Sequence, residues 1–446
     1  MDNLNTIISS TASLVWGPPM LILLVGTGLY LTIKLKGMQF WALGHAFKLI
    51  FEKENSNKGD ITNFAALMTA LAATVGIGNI VGVATAINMG GPGAVFWMWV
   101  TGLVGMATKY SEAILAVKYR EKGINGYKGG PMYYIFKGAN MPKLAMAFAF
   151  FTVIASFGIG NMAQANAVAN ALNTQFGISF EVTGIVLLMI TAFVILGGIK
   201  TIGKVTTYLI PFMIAIYLFT ALIIIASNID KVSDALGMIF YYAFNPIAAT
   251  GGFAGAAIAA AIRYGIARGV FSNESGLGSA PIAAAAAKTS DPVKQALISM
   301  TQTFIDTLIV CTMTALIILM APIWTQGGNA GELTLKSFEY FLGDWGALVI
   351  VFATILFGYS TILGWSYYGE RAFEYILGDK KIFYYRIFFI AIIYVGCVSQ
   401  LRLVWNFSDL ANGLMAIPNL IGLLILSKVV SSETKRYFDK KKVIKA

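Results

Sequence analysis

The feature that most constrains this chain is the recurrence of apolar runs long enough to cross a bilayer. A hydrocarbon core of about 30 Å takes roughly 20 apolar residues in helical form. Runs of this kind occur near residues 18–33, 64–87, 94–117, 144–172, 182–196, 206–226, 253–287, 296–320, 346–365, 383–398 and 403–426. They predict an all-α polytopic membrane protein with 11 transmembrane helices and no separate soluble domain.

In a soluble chain, 32 Lys and Arg against 21 Asp and Glu would suggest nucleic acid. Here the bases crowd into alternate loops, which makes them topology signals and gives no reason to expect nucleic acid as a partner. Lys34 to Lys58, Lys118 to Lys143, Lys200 and Lys204, Lys288 and Lys294, Arg371 to Arg386 and Lys435 to Lys445 all fall on one side, and only Lys231, Lys336 and Arg402 on the other. With an odd number of spans, the amino terminus is expected outside and the carboxyl terminus in the cytoplasm. The stretch from Met1 to Ser13 lacks a basic n-region and carries Asp2, so no cleavable signal peptide is expected.

Two spans are interrupted. Residues 67–93, LMTALAATVGIGNIVGVATAINMGGPG, put Thr74, Gly76, Gly78 and Asn79 where a simple anchor would carry leucine. Glycine costs a helix interior about 1 kcal/mol against alanine, and unwound backbone in a bilayer is tolerated only where it is buried in protein or lines a cavity. Residues 251–287, GGFAGAAIAAAIRYGIARGVFSNESGLGSAPIAAAAA, repeat the pattern with Ser272, Asn273, Glu274, Ser275, Gly276 and Gly278. Five spans separate the two starts, so the second stretch enters from the opposite face. This predicts a 5+5 inverted repeat, with one extra N-terminal helix and linker over 1–61, a first repeat over 62–228, a second over 229–430 and a basic tail over 431–446. Interrupted helices in corresponding places of two halves point to a transport site near the midplane.

Other chemistry finds little support. Cys311 and Cys397 lie in apolar runs and form no CxxC pair, and the single histidine, His45, rules out a multi-histidine metal site and reads as interfacial. Gly198, Gly203 and Lys204 approach a phosphate-loop pattern, but Val205 follows and no strand precedes. No cofactor and no obligatory protein partner are expected. A channel would need a continuous polar lining, and an enzyme a nucleophile–base or metal constellation. Residues 123–134 read as an interfacial elbow, and 322–344 as a partial lid over the entrance.

The segment GGPGAVFWMWVTGLVG, Gly90 to Gly105, resembles the signature of the alanine or glycine:cation symporter family, the sodium:alanine symporters. That likeness runs from about Pro18 to the tail. ATVGIGN, Ala73 to Asn79, also resembles the first broken helix of the neurotransmitter:sodium symporters, whose inverted repeat is the leucine-transporter fold. The resemblance implies that backbone N–H groups near Ile77 and Gly78 take a substrate carboxylate, and that Asn79 presents its amide oxygen to sodium or substrate. It implies a sodium site from carbonyls near Leu71 and Thr74, the Phe357 carbonyl and the Ser360 and Thr361 hydroxyls, an all-oxygen set suited to a hard cation. For those two hydroxyls, bonding back to their own helix is the plainer alternative.

The second break departs from the leucine-transporter pattern. Glu274 could receive the substrate amino group, hold a cation or pair with Arg268, and Asp306 could be functional or pair with Arg263 or another base. Asn161 and Gln164, three apart, could line one pocket. Trp365 and Phe271 are candidate apolar walls. Thr74 to Asn79 together with Ser272, Asn273, Glu274 and Gly276 complete the expected substrate site. The function expected is symport of alanine or glycine with sodium by alternating access across the cell membrane, with proton coupling as the alternative.

Overall fold

Apolar runs become helices, and the glycine-rich interruptions become breaks. The computed structural model describes residues 2–52, 58–124, 126–245, 254–326 and 330–445. Residues 251–253, which open the second interrupted stretch, and Lys53 lie outside the described residues. Six helices are long and apolar enough to cross a membrane alone, and two bent pairs bring the total to eight among the described residues. The expected spans near 94–117, 182–196 and 253–287 are helical too. Ala94–Lys118 carries Lys109 and Glu112 in its middle, Phe180–Ile195 is short, and Ala254–Asn273 carries Arg263 and Arg268.

The two interrupted helices run in opposite directions. Asn63–Thr74 begins, and the chain after Pro281–Ala285 ends, at one end of the bundle, where Ile61 forms a bridge with Ala287. At that end the Arg120 guanidinium donates to the carbonyls of Ala285 and Ala287 at 2.7 Å each, Thr289 at 2.6 Å and Lys58 at 3.0 Å. Lys128 meets Glu374 at 3.3 Å, and Lys118 meets Glu433 at 2.5 Å. The basic loops between spans therefore share one end, as alternation requires.

Lipid-facing and buried surfaces follow from composition. Along Phe180–Ile195, Val182, Ile185, Val186, Met189 and Phe193 are exposed, whereas Thr183, Gly184, Leu187 and Thr191 face inward. A bilayer gives no hydrophobic drive between helices, so small and hydroxylic residues mark the packed side.

Several elements differ from expectation. A helix, Asp2–Val15, precedes Pro18–Lys34, and Trp16 ties the junction to the last helix by donating to the Asp409 carbonyl at 2.8 Å. The stretch expected as an interfacial elbow is an antiparallel hairpin, Glu121–Gly123 with Gly126–Lys128, followed by the helix Pro131–Lys137. Its Tyr134 is fully buried and bonds to Asn419, because the hairpin folds back under the bundle. The expected basic tail continues the helix Leu401–Lys445, with Tyr437 bonded to His45 at 3.0 Å. The expected lid contains the helix Ala330–Leu342, whose Thr334 hydroxyl donates to the Ile80 carbonyl just beyond the first break, at 2.8 Å.

Candidate functional site

The first break arises from hydrogen bonds diverted at three positions within four residues. Val75 leaves the helix with ψ 88°. The Gly76 N–H then turns to the Asn79 side-chain oxygen at 2.9 Å, the Ile77 N–H to Gln164 Oε1 at 3.3 Å, and the Asn79 N–H to the Gly76 carbonyl at 3.1 Å. Neither Gly76 nor Asn79 therefore reaches the carbonyl four residues back, which frees those of Ala72 and Val75. The Ser360 hydroxyl lies 3.3 Å from the first and 3.5 Å from the second, and 2.9 Å from the Phe357 carbonyl.

The oxygens gathered here differ from the set the resemblance implies. The Leu71 carbonyl accepts from the Val75 N–H at 2.8 Å, still inside the helix. The Thr74 hydroxyl bonds to Ala70 and Leu71 carbonyls and accepts from Gln302 at 3.1 Å. Carbonyls of Ala72, Val75 and Phe357 with the hydroxyls of Ser360 and Thr361 form the oxygen cluster instead. Thr361 also bonds back to Phe357 at 2.9 Å, the plain helix bond expected as the alternative.

The second break ends Ala254–Asn273 at Glu274, a non-glycine residue with φ +57°. Such backbone in a buried residue is held only by its surroundings and marks functional sites. Gly276 and Gly278 follow at φ +90° and +81°. Glu274 Oε1 accepts from Trp365 Nε1 at 2.6 Å and Oε2 from the Ser279 hydroxyl at 2.7 Å. Arg268 pairs with Asp409 at 2.5 Å, so Glu274 keeps both oxygens for the interior. Asn273 donates to Thr307 at 3.1 Å and accepts from the Ser275 N–H at 2.9 Å, bracing the turn.

Asp306 joins the two breaks. It accepts from Asn79 Nδ2 at 2.7 Å and from the Ser272 hydroxyl at 2.9 Å, with Thr307 at 2.8 Å. The expected alternative pairing with Arg263 does not form; the Arg263 guanidinium lies over Tyr264. Asn79 thus spends its oxygen on Gly76 and its amide on Asp306. Gly78 lets the breaks touch, since a Cβ there would lie 3.1 Å from Ser272 Cα.

Asn161 and Gln164 do not share a pocket. Asn161 Nδ2 donates to the Phe389 carbonyl at 2.7 Å, away from the break, while Gln164 reaches Ile77. A π-helical turn, Gly158–Met162, carries Asn161 and ends just before Gln164. Similar segments, Gly78–Gly82 and Phe304–Cys311, carry Asn79 and Asp306. Such bulges recur at functional sites, and no spacing rule reveals them.

Trp365 walls the site beside Gly160, where a Cβ would lie 2.3 Å from the Trp365 Cβ. Phe271 forms a ceiling on one side, stacked on Trp405 at 5.1 Å with the Arg268 guanidinium 5.3 Å from its ring. Beyond that ceiling opens a cavity of about 530 Å³ lined by Trp16, Arg263, Arg268, Leu335, Trp405 and Asp409, among others. Ion pair and stacked rings therefore close the site on that side.

Residues 1–446 match the model of the sodium:alanine symporter family. The sodium/alanine symporter AgcS of Methanococcus maripaludis is 53% identical over 448 residues, covering 98% of each chain. The amino-acid carrier protein AlsT of Bacillus subtilis is 38% identical, covering 98% of this chain and 93% of its own. Among solved structures, MhsT in complex with L-phenylalanine is similar with a TM-score of 0.60 at 14% identity, over 83% of this chain and 90% of that one. This last likeness carries the fold alone, that of the leucine-transporter type.

Proposed function

From its membership in the sodium:alanine symporter family, which makes this chain a multi-pass membrane transporter and not an enzyme, we propose that it carries alanine or glycine inward together with sodium. The observation that carries the reading is the oxygen cluster of Ala72, Val75, Phe357, Ser360 and Thr361 at the first break. Uncharged carbonyls and hydroxyls at a freed helix C-terminus favour a hard monovalent cation, through the negative end of the half-helix dipole.

The amino acid sits across the two breaks. Its carboxylate takes the Ile77 N–H, displacing Gln164 Oε1, and the adjacent N–H of Gly78. Its ammonium faces the carboxylates of Glu274 and Asp306, with Asn79, Ser272, Asn273 and Gly276 around it and Thr74 to Gly76 bordering the ion. Trp365 and Phe271 limit the side chain, which favours a methyl group or a hydrogen. Alternating access then moves two inverted repeats, 62–228 and 229–430, about this centre, with the Arg268–Asp409 pair closing the outer path. The basic end of the bundle faces the cytoplasm of the cell membrane, with the amino terminus outside.

Alanine uptake into proteoliposomes with an imposed sodium gradient, compared with equal sodium on both sides, tests the reading. Accumulation only with the gradient is expected. Accumulation driven by a proton gradient in sodium-free buffer would overturn sodium coupling.

A further inference from the structure

A pair of buried charges that the proposed cycle leaves unused lies behind the second break, on the helix Ala94–Lys118. Gly105 on this helix abuts Ser275, since a Cβ there would lie 2.8 Å from its side chain. Two turns on, Glu112 Oε1 accepts from the Gly278 N–H at 3.1 Å and from Asn419 Nδ2 at 2.7 Å. Lys109 lies four residues after the one and three before the other, so its side chain leaves the helix on the same face.

Lys109 is 1% exposed, and its Nζ has no hydrogen-bond partner among the described residues; nor has Glu112 Oε2. Three carboxylates lie within electrostatic reach of the ammonium: Glu112, Glu274 and Asp306. The last two belong to the candidate transport site. An acidic lining of this kind disfavours a bound anion. A buried ammonium persists only against opposite charge, and a mobile cation entering the same cluster meets its repulsion.

We propose that Lys109 is a fixed cation of the transport core, which with Glu112 sets how tightly the neighbouring site holds a mobile cation. The inference rests on the sodium coupling proposed above. Lys109 opposes ion binding and keeps it loose enough for release, while Glu112 favours it and anchors the second break through Gly278.

The test is a sodium titration of alanine uptake by the reconstituted full chain, with thermal melting of each variant. A unit charge about 10 Å away at an effective dielectric near 20 shifts a binding constant on the order of tenfold. Lys109→Met should lower the half-saturating sodium concentration by about that factor. Glu112→Gln, which keeps an acceptor for Gly278, should raise it, and the double variant should return near the wild-type value. Lys109→Arg, keeping the charge, should stay close to wild type. A merely structural lysine would instead lower the melting temperature without tightening sodium. A sodium-stimulated wild type with unshifted Lys109→Met and Glu112→Gln would overturn this inference alone; if Lys109→Met does not fold, an unshifted or lowered value in Glu112→Gln decides against it. A wild type indifferent to sodium would overturn the coupling itself and this inference with it.

Discussion

Replacing Gly76 by alanine probes the proposed ion site from the opposite side to its proposed ligands. Gly76 does not have a positive φ, so alanine meets no backbone strain there and the whole effect is spatial. The added Cβ would lie 2.3 Å from Thr361 Oγ1, with Gln164 Oε1 at 3.2 Å and Thr361 Cβ at 3.4 Å. Thr361 is 1% exposed on a packed helix, so its hydroxyl must rotate out of the oxygen cluster or the helix must move. Overpacking of this kind costs about 1–3 kcal/mol. If the displaced atom is a sodium ligand, that cost appears as a roughly 5- to 150-fold rise in half-saturating sodium. Thr361→Ala removes the same ligand without a clash, and it also removes the obstacle to the alanine at position 76. The double variant should therefore resemble Thr361→Ala and fall short of the product of the single effects, a coupling typical of touching residues. Sodium titrations of alanine binding on purified variants, with melting curves, give the full cycle. Wild-type sodium dependence in folded Gly76→Ala, or strict additivity in the double variant, would refute the assignment of Thr361 to the ion.

Two further changes separate space from ligation at the first break. Gly78→Leu drives against Ser272 and should abolish alanine binding in folded protein. Asn79→Ala leaves the Gly76 N–H unpaired and takes one donor from Asp306, at about 1–3 kcal/mol, so binding should weaken and recover partly at high sodium; normal alanine affinity in folded Gly78→Leu would remove the site from this break. For topology, cysteines at Ser10 and Lys440 in a background without Cys311 and Cys397 should react with impermeant reagents from opposite sides, and reaction from one side would break the inverted arrangement.

Asp306 shows where residue-level reading stops. An acidic residue inside an apolar run stands out as a candidate, yet its partners come from positions 79 and 272 and from a π-helical turn that no periodicity announces. Lys109 and Glu112 carried the same signal, charged residues in the middle of a predicted span, and the apolar run around them hid it. The carbonyls that meet Ser360 at the first break differ from the expected pair by one residue each. Which carbonyls lose their donors depends on where Asn79 folds back, a bond between a side chain and a backbone amide three residues away.

By itself the sequence determined the class, the helical spans, the alternation of basic loops and the two interrupted helices, because each is a local property that a bilayer enforces. Hydrocarbon demands long apolar helices and permits unwound backbone only inside the protein, so both leave marks readable in consecutive residues. Only the tertiary structure decided that Arg268 pairs with Asp409 and leaves Glu274 to Trp365 and Ser279, that Asn161 turns away from Gln164, and that Ala72 and Val75 face Ser360. Those outcomes turn on a few tenths of an ångström between helices far apart in sequence, and on hydrogen bonds that compete for the same buried groups. In a membrane interior each such group must find a partner, and which partner it finds depends on how the helices are packed.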